Sequence, residues 1–296
     1  MDRHATTVSS HRVVPVVDGW TLAASPPGTR AHEAVRAAVE GLPARVPGTV
    51  ASALGAAGRD VDGRDLDAED WTFLTTLPDV GAPHGGERIV LRLGGVATIA
   101  EVLVDGRQVG ASPSMFARHA IDVTDAVRLD GPPVTLAIVC RSVADALRGR
   151  RPRPRYRTRV VAEQQLRYIR TSVLGRAPGF APGPAPVGPY RDVALELWRD
   201  VEVVRLALHA SLSGADGVLA VDGVLRPLGG ARIAHAHVHV DGPQGRCDAA
   251  LGLRGIPDGV AIDGCLRVSG AAPWLPHTHG DPALHAVHVE LVLDDG

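Results

Sequence analysis

Short apolar or alternating runs, separated by turns rich in Gly and Pro, constrain this chain most, because they favour strands and leave little room for helix. Arg88–Leu93 and Ile99–Val104 are two such runs, and the dipeptide Asp105-Gly106 follows the second. Asp-Gly after a β-rich run favours a type I′ hairpin, in which both central residues need positive φ. Further strands are predicted at Val134–Cys140, Val193–Trp198, Val201–Leu208, Arg232–Val240 and Val287–Leu293. Helical spacing is good only at Ala31–Glu40. The pattern predicts an all-β fold of the sandwich or jelly-roll type.

The length of 296 residues exceeds one typical core and predicts two domains. We place the boundary near Asp200, with a jelly-roll domain at residues 1–199 and an immunoglobulin-like β-sandwich at residues 200–296. The sequence runs from a strand into Asp295-Gly296, a hairpin-turn signal with no second strand behind it. We therefore expect a fragment of a longer gene product.

Composition excludes several classes of protein. The formal charge of −2 argues against a globally basic nucleic-acid binder, and no apolar run is long enough for a transmembrane helix. Residues 1–20 carry charges without an apolar segment, which is unlike a signal peptide. Cys140, Cys247 and Cys265 form neither a disulfide framework nor a zinc knuckle, so a reduced, cytoplasmic protein is expected.

Seven arginines lie between Arg148 and Arg159. Guanidinium groups match phosphate geometry, so nucleic acid is one interpretation. The other is a solvated loop, or one paired with the acidic stretch Asp60–Asp70. Because Tyr156 is the only aromatic residue within the run, we favour the second interpretation and expect no nucleic-acid partner.

Three histidines, His235, His237 and His239, alternate with small apolar residues and share one face of a predicted strand. Such a row can bind a metal or form the polar outer face of a sandwich. No nearby Cys or carboxylate completes a ligand set, so no metal is expected. GxSxG, HExxH, P-loop and GxGxxG motifs are absent from the sequence, which predicts no catalytic residue and no cofactor.

A Gly- and Pro-dense loop, Tyr168–Val193, leads directly into a predicted strand and carries Arg170, Arg176 and Phe180. Guanidinium groups beside an aromatic plane suit a sugar, because they bind its hydroxyls and its C–H face. An ordinary crossover loop whose aromatic residues fill the core explains the same residues equally well.

Four segments resemble the N-terminal half of glycoside hydrolase family 2 enzymes, especially β-mannosidase-like members. They are Leu42–Val50 (LPARVPGTV) with Trp71-Thr-Phe73; Leu91–Gly110 with Ser114-Met-Phe116 and Ile121–Thr124; Val187–Val193 (VGPYRDV); and Pro273–Leu284 (PWLPHTHGDPAL). They follow the family's order and spacing across nearly the whole chain. The resemblance implies a galactose-binding-like jelly roll followed by an immunoglobulin-like domain. If the Trp274 indole lies in the core of the latter, its replacement by Ala should cost roughly 3–5 kcal/mol, and an unchanged melting temperature would place it on the surface.

The loop departs from the family pattern at residues that matter for substrate. Family members carry a G-W-D-W-x-P motif whose Asp reaches the sugar, whereas this chain has Gly179 at that position and Phe180 at the second Trp. Arg170 matches the Arg of the family's Arg-Lys pair, but Thr171 replaces the Lys. The resemblance therefore implies substrate binding by Arg170 and Phe180, with Arg176 as an alternative contact.

In the family, both catalytic glutamates lie in a (β/α)₈ barrel that follows the second sandwich. The resemblance thus implies non-catalytic modules of a retaining exo-glycosidase, with a terminal β-linked sugar and the missing barrel as partners. The alternative is a free-standing carbohydrate-binding module. Such a module needs exposed aromatic residues, yet the chain has few aromatic residues and most fall in apparent core motifs.

Overall fold

The computed structural model describes residues 11–81, 86–127, 133–149, 151–152 and 155–294. Strands dominate this part of the chain, which confirms the predicted all-β class. The described residues form two compact units: residues 12–197 apart from 86 and 87, and residues 198–294 with residues 11, 86 and 87. No helix among them is long and apolar enough to cross a membrane.

The first unit is a β-sandwich. Its strands are β1 (His11–Pro15), β2 (Trp20–Ser25), β3 (Leu42–Ala44), β4 (Asp70–Thr76), β5 (Arg88–Leu93), β6 (Ile99–Val104), β7 (Arg107–Ser112), β8 (His119–Asp122), β9 (Thr135–Arg141) and β10 (Val193–Trp198). A six-stranded sheet has the order β3-β2-β4-β9-β6-β7, and a four-stranded sheet has the order β1-β10-β5-β8. Side chains from both sheets, including Trp71, Phe73 and Leu91, form one buried core.

The hairpin predicted at Asp105-Gly106 is confirmed. Both residues have positive φ, 46° and 74°, as a type I′ turn requires, and Val104 pairs with Arg107 across it. The Asp105 carboxylate also accepts hydrogen bonds from the backbone N–H and the hydroxyl of Thr135, at 2.7 and 3.0 Å. The turn is thus fixed both by its own backbone and by the neighbouring strand β9.

The described residues contain few helices, but more than the single helical segment that the sequence predicts. Helix α1 (Ala31–Ala38) confirms the segment predicted at 31–40 and ends two residues earlier. Helix α2 (Val50–Ala56) was not predicted, although Thr49 and Ser52 form a capping box at its start. The remaining helical pieces are α3 (Val143–Ala146) and two 3₁₀ helices, Leu66–Ala68 and Gln164–Tyr168.

The second unit is a smaller sandwich. Its strands are β11 (Val201–Ser213), β12 (Asp216–Pro227), β13 (Ile233–Gly242), β14 (Gly245–Ala250), β15 (Gly252–Ile256), β16 (Gly259–Val268) and β17 (Ala286–Leu293). The sheet orders are β11-β12-β16-β15 and β14-β13-β17. Val221, Val238 and Ile262 are central in its core.

Two expectations about the second unit have different outcomes. The alternation along β13 is confirmed, because Ala236, Val238 and Val240 are buried while the three histidines lie on the other face. Of the two positions considered for Trp274, the surface position is observed, because its side chain is 60% exposed. Trp274 lies in the loop between β16 and β17, where its backbone forms an isolated bridge with Pro282.

Candidate functional site

The loop between the 3₁₀ helix Gln164–Tyr168 and strand β10 is attached to the first unit at both ends. At its start, the Met115 N–H donates to the Arg170 carbonyl at 3.0 Å. Near its end, Ala97 and Gly188 exchange backbone hydrogen bonds of 2.9 and 2.7 Å. Gly188 has a φ of 118°, and a Cβ there would lie 2.7 Å from the Phe73 ring, so glycine is required. The rigid sheets thus fix where the loop leaves and returns.

Met115 connects the loop to the segment that follows β7. The Tyr190 hydroxyl donates to the Met115 carbonyl at 2.7 Å, and the Ser172 N–H points at the Met115 sulfur at 3.0 Å. The Met115 side chain is buried, whereas its neighbour Phe116 is 57% exposed. The two ends of the loop are therefore joined through one residue, beside an exposed aromatic ring.

Arg176 is the most firmly held side chain of the loop. Its Nε and Nη2 donate to the two carboxylate oxygens of Asp67 at 2.5 and 2.7 Å, and only 6% of its side chain is exposed. Its Nη1 donates to the Ser172 carbonyl at 3.0 Å and to the Thr171 hydroxyl at 3.3 Å. All three guanidinium nitrogens of Arg176 donate hydrogen bonds within the protein, so this side chain holds the loop in place. The predicted contact between Arg176 and a sugar stays a prediction.

The segment that carries Asp67 is held by Trp71 of β4 and by Ser142, which directly follows β9. The Ser142 hydroxyl donates to the Asp67 carbonyl at 2.7 Å, and the Trp71 indole donates to the Leu66 carbonyl at 3.0 Å. Three residues along, the buried carboxylate of Asp70 accepts hydrogen bonds from Arg141 at 2.8 Å and from the Ser142 N–H at 2.7 Å. The chain of contacts runs from the central strands to Asp67 and from Asp67 to the loop.

This network changes the interpretation of the acidic stretch at 60–70. Its carboxylates pair with Arg64, Arg141 and Arg176, through Glu69, Asp70 and Asp67 respectively. Of the two alternatives to nucleic-acid binding, pairing of the arginine run with this stretch does not occur for these three acids. Within that run, Arg148 pairs with Asp145, and the Arg151 guanidinium lies 5.3 Å from the ring centre of Tyr168. Arg150 and Arg153 lie outside the described residues.

Arg170 and Phe180 are presented to solvent by the anchored loop. The backbone of Arg170 is fixed by its bridge to Ser114, while its side chain is exposed. Phe180 is 75% exposed and lies in a tight turn closed by hydrogen bonds between Ala177 and Ala181. A Cβ on Gly179 would meet no atom within 4 Å, so packing does not impose glycine there.

Exposed aromatic residues are more numerous than the sequence suggested. Five are at least 39% exposed: Phe116, Tyr156, Tyr168, Phe180 and Trp274. The expectation that most aromatic residues fill the core therefore does not hold. Arg170 and Phe180 are both exposed on this loop. In general an aromatic ring can pack on the C–H face of a sugar, and a guanidinium can donate to its hydroxyls.

The carboxylates closest to the loop take part in ion pairs. A retaining glycosidase needs two carboxyl groups about 5–5.5 Å apart, one of them protonated. The buried carboxylates beside the loop, Asp67 and Asp70, are instead paired with arginines. No group of three or more His, Cys, Asp or Glu among the described residues could hold a metal.

Cys140, on β9 next to the Asp70 network, is an inert group. The thiol is fully buried, and burial followed by the nearby Asp70 charge raises its pKa to about 12. A thiol that stays protonated at neutral pH is a poor nucleophile. Cys140 therefore acts as a small core residue, as expected from the apolar run that contains it.

The family model described as "Glycosyl hydrolase 2 galactose-binding domain-like" matches residues 20–191. Beta-mannosidase B of Aspergillus terreus is 26% identical over 252 residues, which are 80% of this chain and 28% of that protein. The crystal structure of a β-D-mannosidase from Dictyoglomus thermophilum superposes with a TM-score of 0.71 at 16% identity. The superposed region covers 96% of this chain and 34% of the mannosidase chain.

A Bifidobacterium dentium β-glucuronidase, solved with coumarin-3-O-glucuronide, superposes with a TM-score of 0.66 at 17% identity. The superposed region covers 98% of this chain and 47% of the glucuronidase chain. Both structural likenesses show the fold alone. The chain spans less than a third of the length of the first curated relative that it matches.

Proposed function

The chain belongs to the glycosyl hydrolase 2 galactose-binding domain-like family, and on this premise we propose that it supplies the non-catalytic sugar-binding region of a retaining, β-mannosidase-like exo-glycosidase. The first unit forms one wall of the substrate pocket with the Arg170–Tyr190 loop. The second unit is a spacer that packs against a catalytic domain of (β/α)₈ type. The ligand is a terminal β-linked sugar.

The observation that carries the proposal is the contrast within the loop between anchored and free side chains. Arg176 is 94% buried and fully bonded, whereas Phe180 is 75% exposed on a backbone held at both ends. An exposed aromatic ring on a loop that a rigid scaffold holds in place is available to pack on the C–H face of a sugar. The curated relatives that are β-mannosidases indicate the class of sugar.

The glycine at position 179 limits which side chains of the loop can bind the sugar. The site lacks the carboxylate that the family resemblance places at this position, so hydrogen bonding to the sugar depends on Arg170. Guanidinium donors can bind any pair of adjacent hydroxyls that presents its oxygens to the fork. We therefore expect this wall to discriminate weakly between sugars that differ in the orientation of one hydroxyl.

The experiment is saturation-transfer NMR of methyl β-D-mannopyranoside with the chain and two variants. Phe180→Ala should reduce the transfer at least threefold, because the ring that faces the sugar is removed. Tyr156→Ala is the matched control, since Tyr156 is also 69% exposed but lies on the arginine run. Equal signals for both variants, or no transfer to the unmodified chain, would contradict the proposal.

A second measurement tests the non-catalytic assignment. The chain should release no nitrophenol from nitrophenyl β-mannoside above the rate in buffer. Turnover that disappears when one internal carboxylate is replaced would show that the active site lies within these residues.

A further inference from the structure

One segment of the first unit concentrates positive charge. Between Asp145 and Asp192 the sequence carries eleven arginines and a single carboxylate, that of Glu163. This carboxylate accepts a hydrogen bond from the Gln165 N–H at 3.0 Å and so caps a 3₁₀ helix. Since the whole chain has a formal charge of −2, the rest of it is net negative. A ligand with negative charge is therefore attracted to this segment in particular.

Gln164 fixes the described part of the segment to the sandwich. The Thr158 N–H donates to its side-chain oxygen at 3.0 Å, and its side-chain nitrogen donates back to the Thr158 carbonyl at 2.9 Å. Two residues further, Leu166 is buried in a small apolar cluster with Val143 and Leu147. Residues 158–166 are thus held in place by hydrogen bonds and by packing.

Two tyrosine rings of the segment each carry a guanidinium group. The Arg151 guanidinium lies 5.3 Å from the ring centre of Tyr168. The Arg167 guanidinium lies 4.8 Å from the ring centre of Tyr156, and its Nε donates to the Gln164 carbonyl at 2.7 Å. A guanidinium that is already oriented on an aromatic face loses less conformational freedom when an anion binds to it. Both arginines are therefore prepared for anion binding.

Three further arginines form what we call the arginine row: Arg155, Arg157 and Arg159. All three are exposed, and none forms an ion pair or a side-chain hydrogen bond with another described residue. They occupy every second position, so successive Cα atoms are at most about 7 Å apart. Charges repeated at this spacing favour a ligand that also carries repeated charges over a single small anion.

The position of the arginine row favours a saccharide over a nucleic acid. Tyr168, which the Arg151 guanidinium covers, lies two residues before Arg170 of the sugar-binding loop. Single-stranded nucleic acids are bound largely by stacking of bases on aromatic faces. In this segment a guanidinium already occupies one face of Tyr156 and one face of Tyr168. The segment therefore offers charge beside a sugar site and little free aromatic surface.

We propose that the arginine row, together with Arg151 and Arg167, binds an acidic oligosaccharide whose sugar residues carry carboxylate or sulfate groups. Guanidinium forks bind such anions through two parallel hydrogen bonds. The inference rests on the proposed function and names its substrate class. The terminal sugar lies at Arg170 and Phe180, and the anionic groups of the following sugar residues lie on the arginine row.

The experiment compares two ligands with the same β-1,4-linked backbone, hexamannuronate and mannohexaose, which differ in the carboxylates at C6. Fluorescence anisotropy of end-labelled ligands measures binding to the chain. Hexamannuronate should bind about tenfold more tightly or better, and its affinity should fall roughly fivefold between about 50 and 200 mM NaCl. A sulfated mannohexaose, measured in parallel, shows which anion is preferred, and tighter binding of either acidic ligand supports the inference. Equal affinities for the acidic and neutral ligands would overturn it.

A triple variant locates the binding. Arg155→Gln, Arg157→Gln and Arg159→Gln together should weaken binding of the acidic ligand about fivefold or more and leave mannohexaose unaffected. The matched control carries Arg45→Gln, Arg59→Gln and Arg107→Gln, three exposed arginines elsewhere in the first unit, and has the same net charge. It should lose less than about twofold. Equal losses in the two variants would mean that only net charge acts, and would overturn the inference.

A nucleic-acid probe completes the test. Hexauridylate should bind about tenfold more weakly than the acidic oligosaccharide, because the segment offers little free aromatic surface. Equal or tighter binding of hexauridylate would overturn the inference. If the triple variant binds the acidic ligand normally, the inference fails and the proposed function stands. If methyl β-D-mannopyranoside shows no transfer while the acidic ligand binds through the arginine row, the proposed function fails and the anion-binding surface stands.

Discussion

Replacing Asp67 by Ala tests whether the buried ion pair holds the loop. The substitution removes both hydrogen bonds that bind the Arg176 fork, and the guanidinium is left in a place where only 6% of its side chain meets water. Breaking a buried pair by removing one partner costs roughly 3–5 kcal/mol. Arg176 keeps two hydrogen bonds through its Nη1, so we expect a value near the lower limit, about 3 kcal/mol.

Urea unfolding followed by tryptophan fluorescence measures this loss, because Trp20 and Trp71 are buried in the first unit. A loss of about 3 kcal/mol corresponds to a change of roughly 100-fold in the unfolding equilibrium constant. Glu69→Ala is the control, since its pair with Arg64 is about one-third exposed and should contribute less than about 1 kcal/mol.

A double variant refines the measurement. Asp67→Ala combined with Arg176→Met removes the charge left behind, so it should cost less than Asp67→Ala alone. Hydrogen exchange of the loop amides should accelerate in the single variant. If Asp67→Ala costs no more than Glu69→Ala, the pair does not hold the loop and the reasoning is refuted.

Three other outcomes follow from burial and backbone geometry. Trp274→Ala should change the free energy of unfolding by less than about 1 kcal/mol, whereas Trp71→Ala should cost about 3–5 kcal/mol; equal losses in urea unfolding would contradict the exposures. At pH 8 Cys265 should react with a maleimide within minutes while Cys140, with its pKa raised to about 12, stays unmodified, as peptide mass spectrometry would show. Labelling of Cys140 in the folded chain would contradict its burial. Gly188→Ala should lower stability by about 2 kcal/mol or more, because it adds a Cβ at positive φ against an aromatic ring; a normal melting midpoint would mean that the loop relaxes freely.

Sequence patterns predicted the bounds of several strands well, because those bounds depend on short stretches of neighbouring residues. Arg88–Leu93, Ile99–Val104 and Val193–Trp198 begin and end where the sequence places them, and Asp105-Gly106 forms the turn that its φ angles require. Strand β11 continues to Ser213, five residues beyond the predicted end, because it pairs with β12 along its whole length.

The site was predicted less completely, because its contacts are distant in sequence. Arg176 and Asp67 lie 109 residues apart, and nothing near either one marks the other as its partner. The family motif around Trp274 leaves its burial open, because the exposed fraction depends on which residues pack over the loop. The capping box at Thr49 and Ser52 and the alternating strand β12 are missed features that local sequence could have shown.

The central claim is that the anchored loop of the first unit binds a sugar. The most direct measurement is a titration of the isotope-labelled chain with methyl β-D-mannopyranoside, followed by amide chemical shifts. We predict that the shifted amides cluster around Arg170, Phe180 and Phe116, with little change in the second unit. Shifts concentrated on the arginine run or in the second unit, or none at saturating sugar, would contradict the claim.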